Sequence, residues 1–342
     1  MSNRRNFIKA TGMLAATALI SPAEAISQTL VSGKSRIKPK RLSPGDTVAI
    51  SSPAGAVWDE KQVEVFSAIL KGFGFKVVLG QTLKEKYGYF AGTDELRARE
   101  LNTFFEDKSV KGIFCMKGGW GCARLLDKLN FESIGNNPKV LIGFSDITTL
   151  LVAIFAKTGL VTFHGPVGNS GWNEFTTAVF QSVIMKGEQT NFPNGPANED
   201  QPVLLNKGRA SGILLGGNLS VLSGIIGSSY LPDWKGKILF LEEAKEEPYR
   251  IDRMLTQLKL AGVLDAIAGL AFGKCVKCDA EEPLKAFKFM EVIEQHIKPL
   301  GIPAFYGAMT GHIENKLTLP VGAEVMLDAD TGTLKLIENA VS

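Results

Sequence analysis

Two rhythms of apolar and polar positions run through the first half of the chain. From Asp46, short apolar runs at Thr47–Ile50, Phe75–Leu79, Gly112–Met116 and Lys139–Gly143 read as strands. Between them, Lys61–Lys71 and Asp94–Phe105 carry helical spacing, the second with Thr93 as its N-cap. Short apolar strands alternating with amphipathic helices predict an α/β domain with a doubly wound parallel sheet, its functional loops at the carboxyl ends of the strands. Three such loops are Ser51–Gly55, Lys117–Gly121 and the turn at Ser145, and they should converge on one crevice. Residues 187–208 are rich in Asn, Pro, Gly and charge with no apolar period, which marks a linker. Beyond it the pattern gives Leu214–Asn218, a small helix to Ile226, a strand Ile238–Leu241 and a helix Tyr249–Leu260. A strand Ile267–Phe272, a helix Phe289–Ile297 and short strands with Gly turns from Pro303 to Ile337 complete a C-terminal α+β domain with a mainly β core. The expected domains are 45–186 and 209–342.

The N-terminus changes that picture. Arg4-Arg5 precede an apolar segment Ala10–Ile20 and the small-residue pattern Ala23-Glu24-Ala25, the order of a twin-arginine export signal spanning residues 1–25. The apolar run is far below the roughly 20 residues that span a bilayer, so no membrane span is expected once the signal is removed. Polar, basic residues 26–44 read as a linker, and the mature protein is expected in the periplasm. The formal net charge of +3 becomes nearly neutral when residues 1–25 are removed, and no basic face calls for a nucleic acid.

Candidate chemistry centres on Lys139–Asp146. An apolar strand ends in a tight turn, and Thr148-Thr149 followed by Leu150–Ala156 begins a helix at once, so Ser145 stands at the corner. Such a corner exposes a hydroxyl near backbone N–H groups at a helix N-terminus, as an acyl-transfer nucleophile requires. The turn lacks the second glycine of G-x-S-x-G, so a plain strand-to-helix connection stays open. Gly118-Gly119-Trp120-Gly121 fits neither G-x-G-x-x-G nor a P-loop; its glycines suit either a tight turn or an oxyanion donor at Gly119, with the Asp146 N–H as the second donor. No cofactor is expected, because no histidine–carboxylate cluster has metal-ligand spacing.

Three histidines compete for the role of base. His296 lies on a charged helix and reads as a solvated face residue, while His164 and His312 both follow or precede strands in loops that can reach a serine. Glu242 closes an apolar strand, where a carboxylate needs a partner: an imidazole, or Arg250 or Arg253. Cys275 and Cys278 suit a loop disulfide or two free thiols, and Cys115 and Cys122 read as packing residues.

Taken in order, Gly118-Gly119-Trp120-Gly121 with Arg124-Leu125-Leu126, Gly143-Phe144-Ser145-Asp146, Phe163-His164-Gly165-Pro166, Gly216-Gly217-Asn218-Leu219, Leu239–Glu242 with Pro248–Leu255, and Gly311-His312 with Leu319-Pro320-Val321-Gly322 resemble the LD-carboxypeptidase family. That family of serine peptidases includes murein tetrapeptide carboxypeptidases and microcin C7 self-immunity proteins. The resemblance spans about residues 45–337. It implies a flavodoxin-like, class I glutamine amidotransferase-like N-terminal sheet and a triad of Ser145 as nucleophile, His312 as base and Glu242 as the orienting acid. It further implies an oxyanion hole from the Gly119 and Asp146 N–H groups, and cleavage of the bond to a terminal D-alanine. Peptidoglycan stem peptides or muropeptides are the implied partners, and a homodimer is left open. Lys117 and Trp120 depart from the usual Arg and Tyr and bear on substrate preference. Two other functions stay open: a microcin-type amide or peptide hydrolase with the same triad, and an exported wall-peptide-binding protein without turnover.

Overall fold

The computed structural model describes residues 35–195 and 200–342, and Arg36–Ser342 form one compact unit. The export signal expected over residues 1–25 and the first part of the 26–44 stretch lie outside the described residues. Of the remainder of that stretch, Ile37 bridges to Leu160, and Arg36 and Lys38 pair with Glu338.

The first sheet begins with β1 (Thr47–Ser51), β2 (Lys76–Leu79), β3 (Val110–Cys115), β4 (Val140–Gly143) and β5 (Thr162–His164). These five pair in parallel in the order β2-β1-β3-β4-β5. The order reverses between β1 and β3, and in such sheets ligands bind outside the carboxyl ends of the strands at that reversal. Central strands are buried on both faces, as the uninterrupted apolar runs require: every residue of β4 is buried. Helix Lys61–Gly72 turns Val63, Phe66 and Leu70 inward, each worth about 1.5–3 kcal/mol when fully removed from water. Helix Asp94–Glu106 starts where the Thr93 hydroxyl accepts from Leu96 N, as its N-cap position implies.

The second sheet has eight strands. They are β6 (Asn191–Phe192), β7 (Val203–Asn206), β8 (Arg209–Asn218), β9 (Ile238–Ala244), β10 (Gly269–Val276), β11 (Ala304–Ala308), β13 (Glu324–Asp328) and β14 (Thr333–Leu336), with β12 (Leu319–Val321) left for the first sheet. Their order is β6-β14-β13-β8-β9-β10-β11-β7, with β8 to β11 parallel and antiparallel strands on both flanks. The domain is mixed, and its centre is itself a parallel α/β layer. The polar stretch 187–208 is more than a linker, since β6 and β7 lie within it as the two edge strands. Strands of two and four residues, paired on one side only, are too short to print an alternation on the sequence.

One crossover positions the site. β12 leaves the second half and adds antiparallel to β5, with Leu319 opposite His164. The loop before β12 is thereby carried to the carboxyl edge of the first sheet, beside the end of β4. The start of helix Thr148–Thr158 in turn docks on the end of β8, where Asn218 N donates to Thr148 Oγ1 at 3.1 Å.

Candidate active site

Ser145 stands where β4 becomes helix, with φ +63°. A left-handed conformation costs a non-glycine residue ~1–3 kcal/mol and persists only where its surroundings enforce it. Here a single 3-10 turn, Ser145–Ile147, runs directly into helix Thr148–Thr158. Gly118 approaches so closely that a Cβ on it would lie 2.7 Å from Ser145 Cβ. Gly55 N donates to Gly118 O at 3.2 Å, so the three loops at the strand ends do converge. The buried Arg97 guanidinium ties two of them together, donating to Pro53 O at 2.6 Å and Gly121 O at 3.3 Å while pairing with Asp94.

The Asp146 carboxylate accepts from Cys122 N at 2.8 Å and fastens the glycine loop to the serine turn. Burial raises its pKa, opposed by hydrogen bonds from Cys122 and the charge of Arg97. Its own N–H lies in the first turn, where such groups have no intrahelical acceptor. Among the described residues the Gly119 N–H likewise meets no acceptor. Both candidate oxyanion donors are therefore unengaged.

In the second sheet, β9 carries Ile238–Leu241 into the core and leaves Glu242 fully buried at the end of that run. His312 Nδ1 donates to Glu242 Oε2 at 2.9 Å. With the carboxylate ionised, Nδ1 holds the proton and Nε2 is left as an acceptor. Burial opposes ionisation of Glu242, but hydrogen bonding and charge from His164 and His312 outweigh it and bring its pKa down to about 2. The loop that delivers His312 is pinched shut where Leu317 N donates to Met309 O at 2.7 Å. Gly311, at φ +107°, makes the approach feasible, since a Cβ there would sit 2.5 Å from Glu242 Oε2.

The Phe144 ring, one residue before Ser145, meets the His312 ring edge-on at 5.0 Å between centroids. The Glu242–His312 pair and the serine corner thus share one wall. Among the described residues Ser145 Oγ has no hydrogen-bond partner, a looseness common in ligand-free sites that tighten around substrate.

His164 is buried, with Nδ1 3.2 Å from Thr310 Oγ1 and Nε2 3.9 Å from Glu242 Oε1. It faces the carboxylate from behind, and it is buried where His312 is partly exposed. Among the described residues Glu242 has no arginine partner; Arg250 pairs with Glu246. Nor is His296 a solvated face residue: its Nε2 lies 2.7 Å from Asp252 Oδ1 and its side chain is largely buried between two helices. Cys275 and Cys278 form a disulfide, and Cys115 and Cys122 are buried thiols.

Two functional-looking residues escape the sequence reading. Arg97 had a local signal, its i,i+3 spacing from Asp94. Lys316 had none. It is 5% exposed, with Nζ 5.3 Å from the centre of the Phe144 ring.

Comparison with known proteins gives a consistent result. Residues 48–165 match the family model described as LD-carboxypeptidase N-terminal domain, and residues 211–327 match that of the LD-carboxypeptidase C-terminal domain. The chain is 38% identical over 314 residues to the "Probable murein peptide carboxypeptidase" of Bacillus subtilis (strain 168), covering 89% of this chain and 95% of that protein. Its fold superposes on MccF in complex with glutamyl sulfamoyl guanosine at TM-score 0.80 and 26% identity, covering 89% of this chain and 99% of the other. It also superposes on the muramoyltetrapeptide carboxypeptidase from Oxalobacter formigenes at TM-score 0.75 and 28% identity, covering 84% and 97%.

Proposed function

The chain belongs to the LD-carboxypeptidase family, and from that premise we propose an exported serine LD-carboxypeptidase that removes the terminal D-alanine of murein tetrapeptides. The observation that carries the reading is the 2.9 Å bond from His312 Nδ1 to the buried Glu242, on the same wall as a serine held at φ +63°. Ser145 Oγ attacks the carbonyl of the L-residue while His312 Nε2 takes its proton. The oxyanion that forms is met by the N–H groups of Gly119 and Asp146. His312 then gives the proton to the leaving D-alanine amine, and an acyl-enzyme remains on Ser145. Water, deprotonated by the same imidazole, releases the shortened peptide. Glu242 keeps its negative charge throughout, fixes the Nδ1–H tautomer and stabilises the imidazolium.

The likeness to MccF, bound in its solved structure to an aminoacyl-type sulfamoyl nucleoside, keeps a second acyl donor in view. Parallel incubations separate the two: the mature protein, with EDTA present, is expected to release D-alanine from murein tetrapeptide and to leave glutamyl sulfamoyl guanosine intact. The reverse result would assign the microcin-type reaction; turnover of neither would favour a binding protein.

Export rests on Arg4-Arg5 ahead of the apolar segment. A folded reporter fused to the first 30 residues is expected to leave the cytoplasm, and Arg4→Lys with Arg5→Lys to retain it. Unchanged export of the double substitution would count against a twin-arginine signal.

A further inference from the structure

The Thr310–Leu317 loop brings a cation to the site as well as His312. Lys316 is buried, and among the described residues its Nζ has neither a hydrogen-bond nor an ion-pair partner. The Phe144 ring, which also packs against His312, is what it lies over. An ammonium on a buried stem, over a ring face and without an ion-pair partner, is a costly arrangement, because an aromatic quadrupole replaces a small part of lost hydration. Glu242 from β9 and Glu314 from its own loop attract it through space, yet burial still brings its pKa down to about 8. Lysines elsewhere around the crevice are differently employed: Lys117 Nζ donates to Ala56 O at 3.2 Å.

An exopeptidase that leaves one residue must recognise a free carboxylate close to the bond it cuts. In a C-terminal residue the carboxylate carbon lies two bonds beyond the scissile nitrogen, about 4 Å from the carbonyl under attack. Its counter-charge must then sit within one residue's reach of Ser145 Oγ. Lys316, over the ring of the residue preceding Ser145 and on the same loop as His312, is the cation in position to be that counter-charge, and a bound carboxylate would supply the partner its ammonium lacks.

We propose that Lys316 is the specificity residue of this site, pairing with the terminal carboxylate of the peptide whose last residue is removed. This deepens the carboxypeptidase reading and rests on it for the identity of the peptide. The probe is calorimetric titration of the full chain carrying Ser145→Ala with murein tetrapeptide and with its C-terminal carboxamide. The free acid is expected to bind roughly ten- to a hundredfold more tightly than the amide. Adding Lys316→Met should bring the acid to the level of the amide and leave the amide unchanged, while Lys316→Arg should retain part of the preference. Because Met keeps the apolar stem and removes an unpaired buried charge, the melting temperature should hold or rise.

The proposal is overturned if Lys316→Met keeps the acid-over-amide ratio, or if the Ser145→Ala chain shows no preference or binds neither peptide. It is also overturned if the substitution lowers the melting temperature and abolishes binding of both, which would assign Lys316 to packing. D-alanine release by the unsubstituted chain is read separately. Absent release with a Lys316-dependent preference would sink the hydrolase reading and leave the carboxylate site standing.

Discussion

At the Ser145 corner the geometry is set by backbone: φ +63° at the serine, a glycine at van der Waals distance, and Arg97 gripping the carbonyls of Pro53 and Gly121. At the Glu242–His312 shelf it is set by a buried negative charge between two imidazoles. The carboxylates of the two regions make the contrast quantitative. Asp146 has a backbone N–H as its main partner, and burial raises its pKa; Glu242 has two histidines, and their effect overrides burial to reach about 2. A backbone-built feature should tolerate changes of charge and fail when a Cβ is added. A charge-built feature should fail when its charge is removed without any change of shape.

The largest effects are expected from the two groups that handle the reacting atoms. Ser145→Ala and His312→Ala should each lower D-alanine release by up to about 10⁶, as in a well-studied serine protease. Steady-state assays on tetrapeptide measure this, and near-normal turnover in either would break the assignment of that residue. His164→Ala should fall well short of that loss, since its imidazole is walled in behind Glu242.

Glu242→Gln is the sharper test of the shelf. Shape is conserved and charge is lost, so turnover should drop by roughly 10⁴ while the oxyanion donors still function. Gly311→Ala attacks the same contact sterically, because its Cβ would fall 2.5 Å from Glu242 Oε2 at a φ of +107°. It should approach the Glu242→Gln loss, whereas Asp146→Asn, which alters charge at the backbone-built corner, should cost far less. Equal losses for Glu242→Gln and Asp146→Asn would erase the contrast.

Smallest is the effect on stability against pH, and its sign differs between the two carboxylates. Glu242 is depressed from 4.5 to about 2, so the stabilisation it gives, on the order of 3 kcal/mol, is complete above the unfolded value and lost as pH falls from 4.5 towards 2. Asp146, raised above 3.8, opposes folding once pH climbs above that unfolded value. Urea midpoints across pH 2.5–6 should therefore fall less steeply on acidification for Glu242→Gln than for the unsubstituted chain, and more steeply for Asp146→Asn. The same slope in all three would mean that neither group is perturbed as described.

Much of this was legible in the sequence, and for physical reasons. Buried parallel strands must be apolar throughout, so β1, β3 and β4 announce themselves, and caps such as Thr93 fix helix starts to the residue. Edge strands β6 and β7 carry no such constraint and read as linker. Ser145 was visible because a strand-to-helix corner is a local event. Its partners were not: the 2.9 Å bond between Glu242 and His312 spans 70 residues, and the choice between His164 and His312 was reached from resemblance, since both stand beside strands. What carries His312 to the site in space is β12 crossing to β5, a pairing that three residues, Leu319–Val321, cannot advertise. Lys316 was illegible because a lysine before an apolar strand normally faces water.

In the proposed mechanism a serine from the first sheet and a histidine delivered by the crossover act as one unit. The most direct measurement is the double-mutant cycle of Ser145→Ala and His312→Ala on D-alanine release from murein tetrapeptide. If the two work together, the double substitution should be scarcely slower than the worse single one. Losses that multiply, so that each residue contributes whether or not the other is present, would mean that Ser145 and His312 do not act together.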